Sequence, residues 1–189
     1  YEDVRDAIAK HTNKKYNTLV TKDHIVMTCG AAGGLNIVFK TLLNPGDEVI
    51  TFAPYFGEYR NYASNFEAEL VVVPPDTVTF QPNLKALVDC ITSKTKVVIV
   101  NSPNNPSGVI YSDATIKELA KILDQKQKEY GHAIFLLSDE PYREIVYDNA
   151  FVPYLLNYYK NTIVGYSYSK SLSLAGERIG YLVVHPDIE

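Results

Sequence analysis

The chain has 189 residues, which suits one ordinary domain with a sizeable core. Apolar residues make up 46% and charged residues 21%, a balance that excludes a disordered protein. The formal net charge of -4 argues against nucleic-acid binding, which favours a basic face, and no apolar run reaches the ~20 residues of a membrane span. We therefore expect that the protein binds neither nucleic acid nor a membrane.

The few cysteines and the N-terminus indicate where the protein works. Two cysteines, Cys29 and Cys90, are too few for a disulfide framework, so we expect a reducing, cytoplasmic setting. The first residues are acidic and show no signal-peptide pattern. No cluster of His, Cys and carboxylates has the spacing of metal ligands, so we expect no metal site.

Short β-rich runs alternate with helical patterns along the chain. The predicted strands are 24–28, 48–52, 69–73, 96–101, 134–138, 162–166 and 181–184. The predicted helices are 35–43, 84–91 and 113–130. Such alternation, with no repeat or linker, predicts one α/β domain: a three-layer α/β/α sandwich around a mostly parallel sheet of about seven strands.

Polar runs directly follow five of these strands. In chain order they are "CGAAGGL", "APYFGEY", "NSPNNPSG", "SDEPY" and "SYSK". In a parallel α/β sheet, ligands bind beyond the carboxyl ends of the strands. The fold would therefore bring all five runs to one edge of the sheet.

The first run, "CGAAGGL", leads from a strand into a helix. Small residues let backbone N–H groups approach an anion, and a helix N-terminus adds a favourable dipole, which suits a phosphate. The run lacks the Walker ending and the GxGxxG spacing. A tight turn with close packing explains it equally well.

The next two polar runs contain an amide, a carboxylate and a phenol. Prolines stiffen "NSPNNPSG", so Asn105 could meet a ligand with little ordering cost, although a rigid turn is the simpler interpretation. Asp139 ends an apolar strand, where a carboxylate needs a partner. That partner could be a cation in a ligand, with Tyr142 nearby, or a salt bridge or helix cap in the protein.

Lys170 follows "SYS" rather than lying in a charged run. A neutral amine is a nucleophile and forms Schiff bases with aldehydes, although most lysines are solvated surface groups. Together the runs supply a phosphate site, a planar aromatic (Tyr55 or Phe56), an amide, a carboxylate, a phenol and an amine. Pyridoxal 5'-phosphate has a matching group for each of them.

The motifs "NPGDEVI", "NSPNNPSG", "SDEPY" and "SYSKSLSLAGERIGY" occur in an order that resembles class I/II aminotransferases, which are fold-type I pyridoxal-phosphate enzymes. The resemblance covers nearly the whole chain. It implies a pyridoxal-phosphate-dependent transferase of amino acid metabolism, which moves an amino group between an amino acid and a 2-oxo acid.

The resemblance implies a role for each matching residue. Lys170 would form the Schiff base with the cofactor and move the substrate proton, Asp139 would pair with the ring nitrogen, and Tyr142 and Asn105 would bind the phenolic oxygen. The expected cofactor-binding residues are therefore Gly30, Ala31, Ala32, Phe56, Asn105, Asp139, Tyr142, Ser167, Lys170 and Arg178. Gly30, Ala31, Ala32, Ser167 and Arg178 would hold the phosphate, and the ring of Phe56, or failing it Tyr55, would stack on the cofactor.

The resemblance also bears on the extent of the protein. It implies that residues 1–189 are the large, cofactor-binding domain, and that an N-terminal arm and a C-terminal small domain with the substrate-binding arginine lie outside them. It further implies a homodimer of the full-length protein.

Other functions fit the same large domain. Within the family these are C–S lyases of the cystathionine β-lyase-like branch, aminocyclopropane-carboxylate synthase-like enzymes and decarboxylating relatives. Outside catalysis, an aminotransferase-like domain can act as the sensor of a transcription regulator. A plain nucleotide-binding α/β domain is disfavoured because no Gly-rich fingerprint follows a strand.

Overall fold

A computed structural model describes residues 1–189 without a gap. The helices are α1 (Glu2–Tyr16), α2 (Gly30–Leu42), α3 (Glu58–Ser64), α4 (Leu84–Cys90), α5 (Asp113–Tyr130) and α6 (Tyr168–Ser171). The strands are β1 (Ile25–Cys29), β2 (Glu48–Phe52), β3 (Glu69–Val73), β4 (Thr95–Asn101), β5 (Phe135–Asp139), β6 (Thr162–Ser167) and β7 (Ile179–Val184). None of the helices combines the length and the apolar character that crossing a bilayer requires.

The seven strands form one sheet in the order β1-β7-β6-β5-β4-β2-β3. Strand β7 is antiparallel to both of its neighbours, and all other pairs are parallel. Since β1 and β6 both run opposite to β7, they share one direction. The carboxyl ends of six strands therefore meet at one edge, where β7 begins. The predicted mostly parallel, seven-stranded sheet is confirmed.

Helices cover both faces of the sheet, as the predicted three-layer sandwich requires. Because side chains alternate along a strand, Val97 and Ile99 of β4 pack with α2 and α3. Val98 and Val100 of the same strand pack on the other face with α4 and α5. Helix α1 packs through Ile8 and Ala9 against the part of the sheet formed by β1, β6 and β7.

The predicted boundaries match the structure best where packing and capping agree. Strands β2 and β3 and helix α5 have the predicted limits. Helix α5 begins after Ser112, whose hydroxyl accepts from the Thr115 amide at 3.1 Å, and is capped after Tyr130 by Gly131, whose φ is 71°. Helix α2 begins five residues earlier than predicted, and the small residues of this first part include the buried Gly30 and Gly34. A Cβ on Gly34 would lie 3.0 Å from Leu182.

Candidate functional site

An open cavity of about 350 Å³ lies at the edge where the strands end. Nine of the ten predicted cofactor-binding residues line it, namely Ala31, Ala32, Phe56, Asn105, Asp139, Tyr142, Ser167, Lys170 and Arg178. These residues lie at or just after the ends of β1, β2, β4, β5 and β6, or directly before β7. The topology therefore brings together side chains that are far apart in the sequence.

Asp139 is the last residue of β5, between Asn101 of β4 and Gly165 of β6. Its side chain is buried, and its two carboxylate oxygens differ. Oδ2 accepts a hydrogen bond from the Tyr59 hydroxyl at 2.5 Å, whereas Oδ1 is buried and has no partner. Burial raises the pKa of Asp139 to about 6, the Tyr59 hydrogen bond lowers it, and Glu140 raises it. An unpaired buried carboxylate oxygen at a cavity wall calls for a donor from a ligand.

Asn105 and Tyr142 lie side by side in the wall of the cavity. The Asn105 amide nitrogen donates to the Tyr142 hydroxyl at 3.3 Å. Asn101 fixes the loop that carries Asn105, because its Oδ1 accepts from the Asn105 backbone N–H at 2.7 Å while its Nδ2 donates to the Asp139 carbonyl at 2.8 Å. Burial and the nearby Asp139 raise the pKa of Tyr142, so its hydroxyl remains a donor at neutral pH.

Lys170 lies in the short helix α6, directly after β6. Its Nζ is 5.9 Å from the centre of the Tyr142 ring and has neither a hydrogen bond nor an ion-pair partner. The Lys170 side chain is exposed, as are residues 172–179 after it. The amine is thus free to meet a ligand in the cavity.

Hydroxyl and cationic groups gather at another wall of the cavity. The Ser167 hydroxyl accepts from the Ser169 amide at 3.1 Å and donates to the Ser169 hydroxyl at 2.7 Å. The Arg178 guanidinium donates to the Ala175 carbonyl at 3.1 Å and contacts no carboxylate. Ala31 and Ala32 lie in the first turn of α2, where N–H groups have no partner within the helix. These groups suit a phosphate.

Gly30 does not line the cavity. It is buried at the start of α2, where its φ is 69°, and a Cβ there would lie 2.8 Å from Nη2 of Arg178. No loop separates β1 from α2, so most of the run "CGAAGGL" forms the N-terminus of the helix. The structure gives Gly30 the role of leaving room for Arg178, and its contact with a phosphate stays a prediction.

Two aromatic residues were candidates for a stacking ring. Phe56 lines the cavity, and its ring packs edge-on against Tyr59 at 5.6 Å between ring centres. Tyr55 does not line the cavity, and its hydroxyl instead accepts from Arg60 at 3.1 Å. The geometry therefore favours Phe56.

A buried ion pair anchors the segment that follows Asp139. Arg143 donates to Glu140, whose other carboxylate oxygen accepts from Ser138 at 2.6 Å. The guanidinium also donates to the carbonyls of Val152 and Pro153 at 3.0 and 2.6 Å. This pair ties residues 140–153 to the sheet and so fixes the chain that carries Tyr142.

The sequence-based prediction missed four polar residues of the cavity: Tyr59, Tyr62, Asn101 and Ser169. Asn101 ends a strand as Asp139 does, and Ser169 lies inside the quoted "SYSK", so both could have been found by position. Tyr59 is the last residue of the quoted run "APYFGEY", but its contact with Asp139 could not be predicted, because the two residues lie 80 positions apart in the sequence.

An α/β sheet covered on both faces, with such a cavity beyond the strand ends, defines a ligand-binding α/β domain. The family model of aminotransferases of class I and II matches residues 1–189, and the chain belongs to this family. Members of the family generally depend on pyridoxal phosphate.

Individual relatives agree with this assignment. The aspartate aminotransferase of Pyrococcus horikoshii is 33% identical over 183 residues, which are 96% of this chain and 45% of the relative. A probable N-acetyl-LL-diaminopimelate aminotransferase of Bacillus subtilis is 33% identical, over 100% of this chain and 47% of its own length. The crystal structure of an amino transferase from Eubacterium rectale has a TM-score of 0.98 at 50% identity, covering 100% of this chain and 48% of that one. The chain thus spans about half the length of these relatives.

The residues of the cavity fit pyridoxal 5'-phosphate. The unpaired Oδ1 of Asp139 offers an acceptor for a protonated ring nitrogen. The hydrogen-bonded pair of Asn105 and Tyr142 offers donors for a phenolic oxygen. Arg178, without a carboxylate partner, suits the phosphate.

Proposed function

We propose that this chain is the cofactor-binding domain of a pyridoxal-phosphate-dependent aminotransferase, which transfers an amino group between an amino acid and a 2-oxo acid. The buried, unpaired Oδ1 of Asp139 carries the proposal. A buried carboxylate oxygen without a partner is costly, and a protonated ring nitrogen of a ligand removes that cost. Membership of the family and the names of the relatives support the same activity.

Each polar residue of the cavity has a task in this proposal. Asp139 holds the proton on the ring nitrogen, and Asn105 and Tyr142 orient the phenolic oxygen. Ser167, Arg178 and the first turn of α2 bind the phosphate, and Phe56 covers one face of the ring. Lys170 Nζ is the nucleophile for the aldehyde and moves the proton of the substrate α-carbon. When bound, the cofactor supplies an electron sink for charge that develops at that carbon.

An absorbance titration of the chain with pyridoxal 5'-phosphate tests the proposal. We expect a band near ~420 nm that Lys170→Ala abolishes, since the band requires a covalent link to an amine. Lys40→Ala is the matched control, because Lys40 is an exposed lysine of α2 outside the cavity. A folded chain that gives no band, or an undiminished band in Lys170→Ala, would contradict the proposal.

We also propose that residues 1–189 act within a longer enzyme of the relatives' length, with substrate-binding groups supplied elsewhere in that protein. The span of about half the relatives' length supports this. On this view the isolated chain binds the cofactor but transaminates poorly. A coupled assay with aspartate and 2-oxoglutarate tests this, and robust turnover by the 189-residue chain would contradict it.

We further propose that the full-length protein is a homodimer. Exposed apolar side chains in the segment 172–179 support this, since Leu172 is 60% exposed and Leu174 and Ile179 are each 38% exposed. Exposed apolar residues grouped in one segment that also carries a cavity residue are typical of an interaction surface. Sedimentation velocity should show a dimer that Leu172→Asp weakens, and a monomeric wild-type protein would contradict the proposal.

A further inference from the structure

We propose that Tyr59 is the positioning residue of Asp139: its hydroxyl fixes the carboxylate so that Oδ1 faces the cavity and accepts the N–H of a bound pyridinium ring. The inference rests on the proposed function and concerns a residue that acts through Asp139 without touching the reacting atoms. It follows from the unequal surroundings of the two carboxylate oxygens.

Tyr59 is held more firmly than any other phenol of the cavity. Its side chain is fully buried in the core formed by α2, α3 and one face of the sheet, and the edge of Phe56 packs on its ring. The hydroxyl therefore reaches Asp139 from a fixed direction, at 2.5 Å from Oδ2. A charge-assisted hydrogen bond of this length is a strong one.

Asp139 needs such a restraint because the terminal torsion of a carboxylate is broad. Its main chain is already fixed, since Asn101 donates to the Asp139 carbonyl at 2.8 Å and β5 pairs with strands on both sides. Only the rotation of the carboxylate remains to be set. The Tyr59 hydroxyl occupies Oδ2 and leaves Oδ1 as the free acceptor.

Charges around Asp139 do not provide an alternative restraint. The titratable or charged groups near its carboxylate are Glu140, Tyr59, Tyr62, Tyr142, Lys170 and Arg178. Glu140 is engaged with Arg143 and Ser138, and of these six groups only Tyr59 forms a hydrogen bond to the Asp139 carboxylate. Burial and Asp139 raise the pKa of Tyr59 well above its ordinary value, so the hydroxyl always donates.

Removing this hydroxyl should affect ligands according to their ring atom. In Tyr59→Phe the carboxylate loses its one fixed donor, at Oδ2, and the pKa of Asp139 moves above its value of about 6. A ligand with a protonated ring nitrogen should then bind more weakly, because its hydrogen bond to the Asp139 carboxylate is less well oriented. A ligand with carbon at that ring position makes no such hydrogen bond, so its affinity should not change.

The test compares wild type, Tyr59→Phe and Tyr159→Phe at pH 7.5 with two probes, pyridoxal 5'-phosphate and its analogue with carbon in place of the ring nitrogen. We expect Tyr59→Phe to bind pyridoxal 5'-phosphate about tenfold more weakly and the analogue within about twofold of wild type. Tyr159→Phe is the control, because it removes a buried hydroxyl that donates to the Ile134 carbonyl, outside the cavity. It should lower stability and leave both affinities unchanged.

Carboxyl NMR of the ligand-free chain gives a second readout, in which the Asp139 titration midpoint should rise in Tyr59→Phe and stay unchanged in Tyr159→Phe. Equal weakening of both probes, or no weakening, would overturn the role of Tyr59 while leaving the cofactor proposal intact. A wild-type chain that binds neither probe would overturn the proposed function, and the role of Tyr59 with it.

Discussion

Gly30 and Arg178 lie in such close contact that a Cβ on the glycine would be 2.8 Å from Nη2 of the arginine. Gly30 also has a φ of 69°, a conformation that side chains disfavour. The start of α2 and the residue before β7 are therefore fitted to each other. This contact holds the guanidinium at the wall where we place the phosphate.

Gly30→Ala should disturb both the backbone and the position of Arg178. We expect a loss of about 1–2 kcal/mol in the free energy of unfolding from the left-handed conformation, together with weaker binding of pyridoxal 5'-phosphate. Urea denaturation and an absorbance titration measure the two effects. Gly57→Ala is the control, because a Cβ there has open space and its φ is -55°. If Gly30→Ala matched that control in both measurements, the close contact would be of no consequence.

Breaking the buried ion pair of Glu140 and Arg143 should destabilise the fold, because the remaining residue keeps a buried charge without a partner. Arg143→Met removes the partner of a carboxylate whose side chain is 1% exposed, and we expect a loss of about 3–5 kcal/mol in the free energy of unfolding. The double variant Glu140→Gln, Arg143→Met should recover part of this loss, because no unpaired charge remains. Urea denaturation of both single variants and the double variant measures the coupling. A double variant less stable than Arg143→Met would contradict this account.

Phe56 should contribute to ligand binding more than to the stability of the fold. Its ring is 36% exposed at the cavity, so Phe56→Ala removes little core packing but removes a surface on which a flat ligand can stack. We expect a loss of roughly three- to tenfold in affinity for pyridoxal 5'-phosphate, which corresponds to the loss of one aromatic stacking contact. Tyr55→Ala should bind the cofactor nearly as wild type does. The reverse order of the two affinities would identify Tyr55 as the stacking residue.

The sequence predicted the sheet well because its signals are local. Strand β4 is apolar on both faces over residues 97–100, and helix α5 has a regular apolar face with a serine cap. Helix α1 was missed because it buries only Ile8, Ala9 and Thr12, too few residues for a clear period. The alternation of strands and helices was enough to define the three layers.

The cavity was predictable to the extent that strand ends are predictable. Asn105, Asp139 and Lys170 were found because each directly follows or ends a strand, and topology brings such positions to one edge. The hydroxyl of Tyr59 and the space left by Gly30 depend on contacts between distant elements. Such contacts leave no pattern in the sequence, so only the structure could reveal them.

Asp139→Asn should make the ligand-free chain more stable at neutral pH while weakening cofactor binding. Burial is the main cause that raises the pKa of Asp139 from 3.8 to about 6, so the folded state binds the proton more tightly than the unfolded state does. Stability therefore falls as pH rises from about 4 to about 6 and stays lowered above that range. Asparagine has no charge to bury, so the stability of the variant should not fall over this pH range.

We expect Asp139→Asn to exceed wild type by about 1–2 kcal/mol in the free energy of unfolding at pH 7.5, and to match it near pH 4. Urea denaturation at both pH values measures this. Asp76→Asn is the control with the opposite sign, because hydrogen bonds from Thr79 and Val78 lower the pKa of that exposed carboxylate. If Asp139→Asn were less stable than wild type at pH 7.5, the Asp139 carboxylate would stabilise the ligand-free fold. The carboxylate would then need no cationic group of a ligand as its partner, which would contradict this prediction.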